Sequence, residues 1–374
     1  MKWIKALILF LCLSCSKSPN STPSVTEVEH TWVKRQSIGN CWLYAKATWL
    51  ESLYLSHHGE SINVSESYWT WWHWYDQIRY GYASEVNTGG SWYESTRIVL
   101  NHGWVQEGEF IAEEAQVEMS ERQADALEFV NRELKQGRLM ESVNRTPSLI
   151  RQVLDEAFQV NMAEVEPLSR AANETVLGVE SLLGGRRFRN VTLSMMLGRG
   201  RPNTRWNRVN FPQTYGEDGV ADESTVKLRE QVFKRVMRAL NAKFPVVMSI
   251  KVDFNALDTH DQTFKKSLLD EMGAPGVQGG HLVVLSDYVV NNVPGYGWLG
   301  EGDMDEETKE AALLGELVYL KAKNSWGTNR ADRGLTDGYT RFDLPYMTGQ
   351  LLWQGDGYSN YHQALKMFIL PPGF

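Results

Sequence analysis

The sequence has few cysteines, an excess of acidic residues and no hydrophobic run long enough to cross a membrane. Only 3 of the 374 residues are Cys, which excludes a scaffold held together by many disulfides. The apolar run near the N-terminus covers residues 6–13 and is too short for a transmembrane helix. Lys and Arg number 38 against 46 Asp and Glu, and the net charge of −8 argues against nucleic acid as a partner.

Sequence patterns for cofactors and metals are also missing. There is no HExxH zinc motif, and the acidic run after Glu301 lacks the central Gly of an EF-hand. A literal GxGxxG spans Gly295–Gly300, but no helix start follows it to receive a pyrophosphate, so we interpret it as a loop. We therefore expect no cofactor and no metal.

The N-terminus has the composition of an export signal. Lys2 and Lys5 precede the apolar run, Ser14 is a small residue before Cys15, and Ser, Pro and Asn dominate the segment that follows. The pattern resembles a bacterial lipoprotein signal, which implies a signal peptide at 1–14, a lipid on Cys15 and a linker at 15–30. The protein is then expected in the periplasm, the outer membrane or on the cell surface, anchored to the membrane by its lipid. A plain secretory signal is the alternative.

Cys41 is the only thiol expected in the mature body, because Cys12 leaves with the signal and Cys15 carries lipid. In an oxidising compartment an unpaired Cys is either a buried small hydrophobe or a reactive group. Apolar residues recur at helical spacing from Trp42 to Leu53, which predicts an amphipathic helix that begins at Cys41. A catalytic Cys needs a lowered thiol pKa, and the positive end of a helix macrodipole favours thiolate.

The remaining chain divides by composition into three stretches. Residues 31–108 are rich in Trp and Tyr and helical in pattern, and residues 109–242 are highly charged and helical. After residue 243 the pattern changes to strands, for example HLVVLSDYVV and ELVYLKAKN. Helices followed by strands predict an α+β fold with two packed halves.

Two motifs in the strand-rich part supply a base and a group that orients it. His281 follows Gly279-Gly280 and opens an apolar strand, so its ring can project from a rigid edge. Asn324, in KNSWGT, ends the next strand candidate, and its amide oxygen can accept the imidazole N–H and fix the tautomer. Trp326 can shield that hydrogen bond from water.

A group upstream of Cys41 completes the set. The Gln36 side chain can donate an N–H beside the Cys41 backbone N–H, and the two would form an oxyanion hole. Gln36, GNCW around Cys41, GGH at His281 and NSWG at Asn324 resemble the papain-like (C1) cysteine peptidases, and they occur in that family's chain order. CWLYA and SESYWTWW lean toward the bleomycin-hydrolase-like branch.

The resemblance implies a two-lobed fold with the active-site cleft between the lobes. Residues 31–374 form the peptidase domain, with a helical lobe at 31–108 that carries Cys41, a large helical insertion at 109–242, and an antiparallel β lobe at 243–374 that carries His281 and Asn324. The implied substrate-binding residues are grouped here: Gly89, Gly90, Gly280 and Trp326. The implied partner is a peptide or protein substrate.

The implied activity is hydrolysis of peptide bonds through a thioester acyl-enzyme. One alternative is a transglutaminase-type or calpain-like thiol acyl transferase, since these also place Trp after the nucleophilic Cys. Another is a non-catalytic surface lipoprotein in which the peptidase site is vestigial.

Overall fold

A computed structural model describes residues 28–81, 84–177, 181–183, 186–188, 190–199, 204–213, 215, 220–354 and 360–374. The predicted signal at 1–14, the predicted lipidation site Cys15 and most of the linker lie outside these residues. Among the described residues, no helix has both the length and the apolar character required to cross a membrane.

The fold is α+β. The described α-helices are α1 (Cys41–His58), α2 (Glu66–Tyr80), α3 (Trp92–His102), α4 (Glu107–Phe110), α5 (Glu121–Gln136), α6 (Pro147–Phe158), α7 (Met162–Val165), α8 (Glu223–Asn241), α9 (Lys266–Met272), α10 (Glu306–Ala312) and α11 (Leu344–Thr348). The described strands are β1 (Thr175–Leu177), β2 (Ser181–Leu183), β3 (Arg186–Phe188), β4 (Val191–Thr192), β5 (Asn207–Asn210), β6 (Val246–Asp253), β7 (Leu257–Asp258), β8 (Thr263–Phe264), β9 (Gln278–Val293), β10 (Gly297–Leu299), β11 (Glu316–Lys323), β12 (Tyr339–Asp343), β13 (Gln350–Trp353), β14 (Asn360–Gln363) and β15 (Leu365–Leu370).

Helix α1 begins at Cys41 as predicted, but it is not amphipathic. Its buried residues lie on every face and include Lys46 and Glu51. The helix is enclosed because it packs against α2, α3 and β1 and also against β6 and β9 of the main sheet. It ends at Gly59, which adopts a left-handed conformation and donates its N–H to the Leu55 carbonyl.

The main sheet is mostly antiparallel and has the order β5-β15-β6-β9-β11-β12-β8-β7, with β10 added beside β9. Its longest strand is β9, which pairs with β6 on one side and β11 on the other. Residues 281–290 of this strand are all buried, in agreement with the continuous apolar run in the sequence. The GxGxxG segment forms the turn into β10 of a hairpin and not a nucleotide-binding helix start.

The stretch 109–242 differs from the prediction of a helical insertion. It contains α5, α6 and α8, but also β1 to β5. Strand β5 pairs with β15 and so belongs to the main sheet, and α8 packs on β6, β9 and β15. Helix α6 packs on α2 in the helical part. This stretch therefore contributes to both halves of the molecule. Each of its helices buries its apolar face against the neighbouring element, which is α2 for α6 and the main sheet for α8.

Two hydrophobic cores match the two halves. One is built mainly from the Trp-rich helices, with Trp49, Trp69 and Trp74 fully buried. The other lies on the sheet face covered by α8 and α11 and includes Phe264 and Phe368. Leu282 of β9 belongs to the helical core, so β9 lies at the contact between the two halves.

Candidate active site

Cys41 lies at the first position of α1, where the sheet meets the helical half. Its thiol is buried, with 8% of the residue exposed. The backbone amide of Leu282, the residue after His281 on β9, lowers the pKa of the Cys41 thiol, and β9 packs on α1. Strand β9 thus brings the chain at His281 directly to the nucleophile candidate.

The thiol does not have the lowered pKa that its helix position suggests. Burial raises the pKa of Cys41, and the backbone amides of Leu282, Trp42 and Cys41 itself offset this only in part. The helix N-terminus favours thiolate, but the loss of solvent at a site covered by the sheet outweighs it.

His281 is held by Asn324 and Trp326. Its Nε2 lies 2.7 Å from Oδ1 of Asn324, and its ring stacks on the Trp326 indole with centroids 4.6 Å apart and planes 17° apart. Asn324 is itself fixed, since its Nδ2 donates to Oγ1 of Thr340 and its Oδ1 accepts from the Ser325 amide. Because the amide oxygen only accepts, Nε2 must carry the imidazole proton, which leaves Nδ1 free to take another.

The electrostatics of the site keep the imidazole neutral. The pKa of His281 is lowered to about 4, mainly because the ring is buried. The hydrogen bond to Asn324 raises this pKa, and the positive charge of the nearby Arg333 lowers it. Only 4% of His281 is exposed. A neutral imidazole is the form that can accept a thiol proton.

Gln36 is tied to the same constellation. Its backbone N–H donates to the Ser325 carbonyl at 2.9 Å, and its side-chain oxygen accepts from the Ser325 hydroxyl at 2.6 Å. One N–H of its amide donates to the Ile38 carbonyl at 2.7 Å. The second N–H and the N–H of Cys41, the first residue of α1, remain the predicted oxyanion donors.

Of the predicted substrate-binding glycines, Gly90 and Gly280 are exposed and Gly89 is half-buried. At Gly280 an added Cβ would meet nothing within 4 Å, so the space above it is open. At Gly90 an added Cβ would lie 2.4 Å from the Trp42 ring, so this backbone rests directly on the residue that follows Cys41. Gly89 donates its N–H to the Asn87 side chain. Trp326 is 7% exposed and covers His281 rather than facing solvent.

Two residues that influence the site escape sequence reasoning. Arg333 lies over the Phe254 ring at 3.9 Å and 5.7 Å from the Trp326 ring, and Thr340 anchors Asn324 from β12. Neither stands in a local pattern that connects it with the motif residues. Ser325 is inside NSWG and could be found from the sequence. Within the described residues, no cluster of three or more His, Cys, Asp or Glu side chains is arranged to hold a metal.

Comparison with known proteins gives only a distant structural likeness. No family model matches the chain, and no curated protein matches it. Among solved structures it is similar to PepW from Lactobacillus rhamnosis, at a TM-score of 0.46 and 12% identity over 94% of this chain and 82% of that one. It is also similar to xylellain, a cysteine protease from Xylella fastidiosa, at 0.38 and 12% over 94% and 87%.

A third similar structure comes from work on the mite allergens Blo t 1 and Der p 1. Its TM-score is 0.34 at 15% identity, over 96% of this chain and 73% of that one. All three TM-scores are below 0.5.

Proposed function

We propose that this chain is a papain-like cysteine peptidase that hydrolyses peptide bonds with Cys41, His281 and Asn324. The observation that carries the proposal is the 2.7 Å bond between His281 Nε2 and Asn324 Oδ1, with His281 on strand β9, which packs against the helix that begins at Cys41. Three segments distant in the sequence thus supply a nucleophile, a base and an orienting group.

The chemistry is acyl transfer in two steps. His281 takes the Cys41 proton on Nδ1, the sulfur forms a bond to the peptide carbonyl carbon, and the oxyanion is held by the Cys41 N–H, with Gln36 as the second donor. The C–N bond breaks as His281 gives its proton to the leaving amine. Water, deprotonated by His281, then hydrolyses the thioester and restores the thiol. Asn324 keeps the imidazole in the tautomer that these transfers need.

The amide character of the orienting group favours this class over its closest rival. A transglutaminase-type site orients its His with a carboxylate, whereas here the partner is the Asn324 amide within NSWG. We place the chain in the papain-like C1 family, with the bleomycin-hydrolase-like branch suggested by CWLYA and SESYWTWW.

Active-site labelling tests the proposal. A peptide epoxide directed at thiols should modify Cys41 in the full chain, and His281→Ala should lose at least about 90% of the labelling rate, in line with a general-base contribution of about 100-fold. Cys41→Ser should abolish peptide hydrolysis. Equal labelling of the wild-type and His281→Ala proteins would overturn the assignment.

One observation favours a non-catalytic protein as the second candidate. Burial raises the pKa of Cys41 and lowers that of His281, so the pair is neutral at rest, and one N–H of Gln36 is taken by the Ile38 carbonyl. A vestigial site that only binds a partner has the same features. Peptide hydrolysis that depends on Cys41 separates the two, since the non-catalytic protein has none.

We also propose export and a lipid anchor, on the basis of the N-terminal sequence. Lys2, Lys5, the apolar run 6–13 and Cys15 supply the pattern. Cells grown with labelled palmitate should incorporate label into the wild-type protein and not into Cys15→Ser. An unlabelled protein that is still exported would indicate a plain secretory signal.

A further inference from the structure

A cavity lies at the start of α3. It has a volume of about 270 Å³ and is lined by Trp92, Tyr93 and Trp206 together with Arg205 and Arg208. The arginines come from the stretch between the helical and strand-rich motifs, so the papain-like motifs do not include them.

The cavity is close to the nucleophile along a short connection. Gly90 rests on the ring of Trp42, the residue after Cys41, and Trp92 begins α3 two residues later. Two residues of chain span at most about 7 Å, so a peptide that lies across Gly90 has the cavity within reach of a neighbouring side chain.

The charges at the cavity are of one sign. Arg205 donates to the Asn207 amide oxygen at 3.2 Å and Arg208 to that of Asn210 at 2.6 Å, and neither has a carboxylate partner among the described residues. No Asp or Glu of the described part of the chain lines the cavity. Guanidinium groups with neutral partners keep N–H donors for an anion.

The two Trp side chains that line the cavity, Trp92 and Trp206, are held in place by their neighbours. Lys46, fully buried, places its ammonium nitrogen 2.9 Å from the centroid of the Trp92 ring and donates to Thr96 at 3.0 Å. Trp206 is 4% exposed, and its indole N–H has no hydrogen-bond partner in the described structure. That nitrogen is itself enclosed, so Trp206 presents its apolar ring to the cavity.

We propose that this cavity binds a carboxylate side chain of the peptide substrate, so that the enzyme prefers Glu or Asp at one position near the scissile bond. The proposal rests on the proposed peptidase function. The carboxylate is bound by Arg205 and Arg208, and the methylene groups of the ligand pack on Trp92 and Trp206.

Binding to the full chain carrying Cys41→Ser tests the proposal without catalysis. The probes are N-acetylated tetrapeptide amides of Ala in which each position in turn carries Glu or Gln, so that Glu supplies the only charge. Binding is followed by intrinsic Trp fluorescence, because Trp92 and Trp206 line the cavity. At one position the Glu peptide should bind about tenfold or more tightly than its Gln counterpart, the size of a charge-assisted hydrogen bond, and added salt should reduce the difference.

Variants identify the groups responsible. Arg205→Gln with Arg208→Gln should abolish the preference for Glu, and Lys at both positions should retain part of it. Arg132→Gln with Arg238→Gln removes the same charge from exposed positions on α5 and α8 and should retain the full preference. Equal affinity for Glu and Gln peptides, no detectable binding of any peptide, or a preference that survives the two Gln substitutions would overturn the proposal.

Hydrolysis by the chain with Cys41 intact distinguishes the proposed acidic subsite from the proposed peptidase function. Cleavage of all the peptides without a preference for Glu removes the acidic subsite and leaves the peptidase. A preference in binding that depends on the arginines, with no cleavage of any peptide, keeps the cavity as an anion site and removes the peptidase.

Discussion

The Nε2 atom of His281 and the Oδ1 atom of Asn324 lie 2.7 Å apart under the Trp326 ring, and this pair determines which imidazole nitrogen faces the reaction. With Nε2 donating to the amide, Nδ1 is the nitrogen left for the thiol proton. The pair is buried, with 4% exposure for each residue, so water competes little for the bond.

Removal of the Asn324 amide should impair turnover more than folding. In Asn324→Ala the imidazole loses its acceptor and its fixed orientation, and we expect kcat/KM for a peptide substrate to fall about 100-fold. Asn161→Ala, at an exposed position before α7, is the matched control and should stay within about twofold of wild type. Steady-state kinetics measure both, with thermal unfolding to check that each variant is folded. Equal activity of Asn324→Ala and the control would contradict a role for the amide.

The acid limb of the pH profile should give the pKa at which the His281 imidazole takes up a proton. His281 accepts a proton only when uncharged, and burial lowers its pKa to about 4. Activity should therefore fall as the pH drops through about 4 and not near 6.5, the usual value for His. The dependence of kcat/KM on pH in the free enzyme measures this limb. A midpoint near 6.5 would show that burial does not lower the pKa of His281 in the active enzyme.

Arg333 should tune the same limb from a distance. Its positive charge disfavours the imidazolium form of His281 and so lowers the pKa. In Arg333→Gln the pKa should rise and the acid limb should move to higher pH. Arg330→Gln is the matched control. Arg330 forms a two-point ion pair with Asp332, and the pKa of His281 is set by burial, Asn324 and Arg333. Equal profiles for the two variants would remove Arg333 from the electrostatics of the site.

The sequence was most informative where chemistry is local. Each site motif can be recognised from a few neighbouring residues: a Cys behind Gly-Asn at a helix start, a His that opens an apolar strand, and an Asn in NSWG. In the structure Cys41 begins α1, His281 lies in β9, and Asn324 directly follows β11. The raised pKa of Cys41 was not predictable in this way, since it results from burial where α1 packs on β9.

Long-range pairing explains the other differences from the sequence prediction. Strand β5 is only four residues long, and it is a strand because β15, far along the chain, offers an unpaired edge. Likewise, Arg333 approaches His281 only through the folded loop after Trp326. Patterns of period 2 or 3.6 hold no information about such partners.

Gly90 should be required by its contact with Trp42. An added methyl group would lie 2.4 Å from the indole, so Gly90→Ala must displace the ring or the loop, at a cost of about 1–3 kcal/mol typical of overpacking. At Gly89 the nearest atom is the Asn87 side-chain oxygen at 3.3 Å, and Gly89→Ala should change the free energy of unfolding by less than about 0.5 kcal/mol. Denaturant unfolding compares the two. Similar stability of both variants would show that the loop yields freely at Gly90.

The buried ammonium of Lys34 should contribute far more to stability than the ammonium of an exposed ion pair. Its Nζ lies 3.0 Å from Glu66, 3.3 Å from Glu51 and 3.5 Å from Glu107, all buried, and these carboxylates raise the pKa of Lys34 although burial alone would lower it. Lys34→Met leaves the carboxylates without this cation, and we expect a loss of about 3–5 kcal/mol in the free energy of unfolding.

Lys227→Met provides the comparison for Lys34, since it breaks an exposed pair with Glu223 on α8. That variant should lose less than about 0.5 kcal/mol, the usual range for a surface ion pair on a helix. Urea denaturation at neutral pH measures both proteins. Because the two substitutions are the same, a difference between them reports the burial of the ion cluster. If Lys34→Met lost no more stability than Lys227→Met, the cluster would have to relax by taking up protons or water, and its carboxylates would not depend on the Lys34 charge.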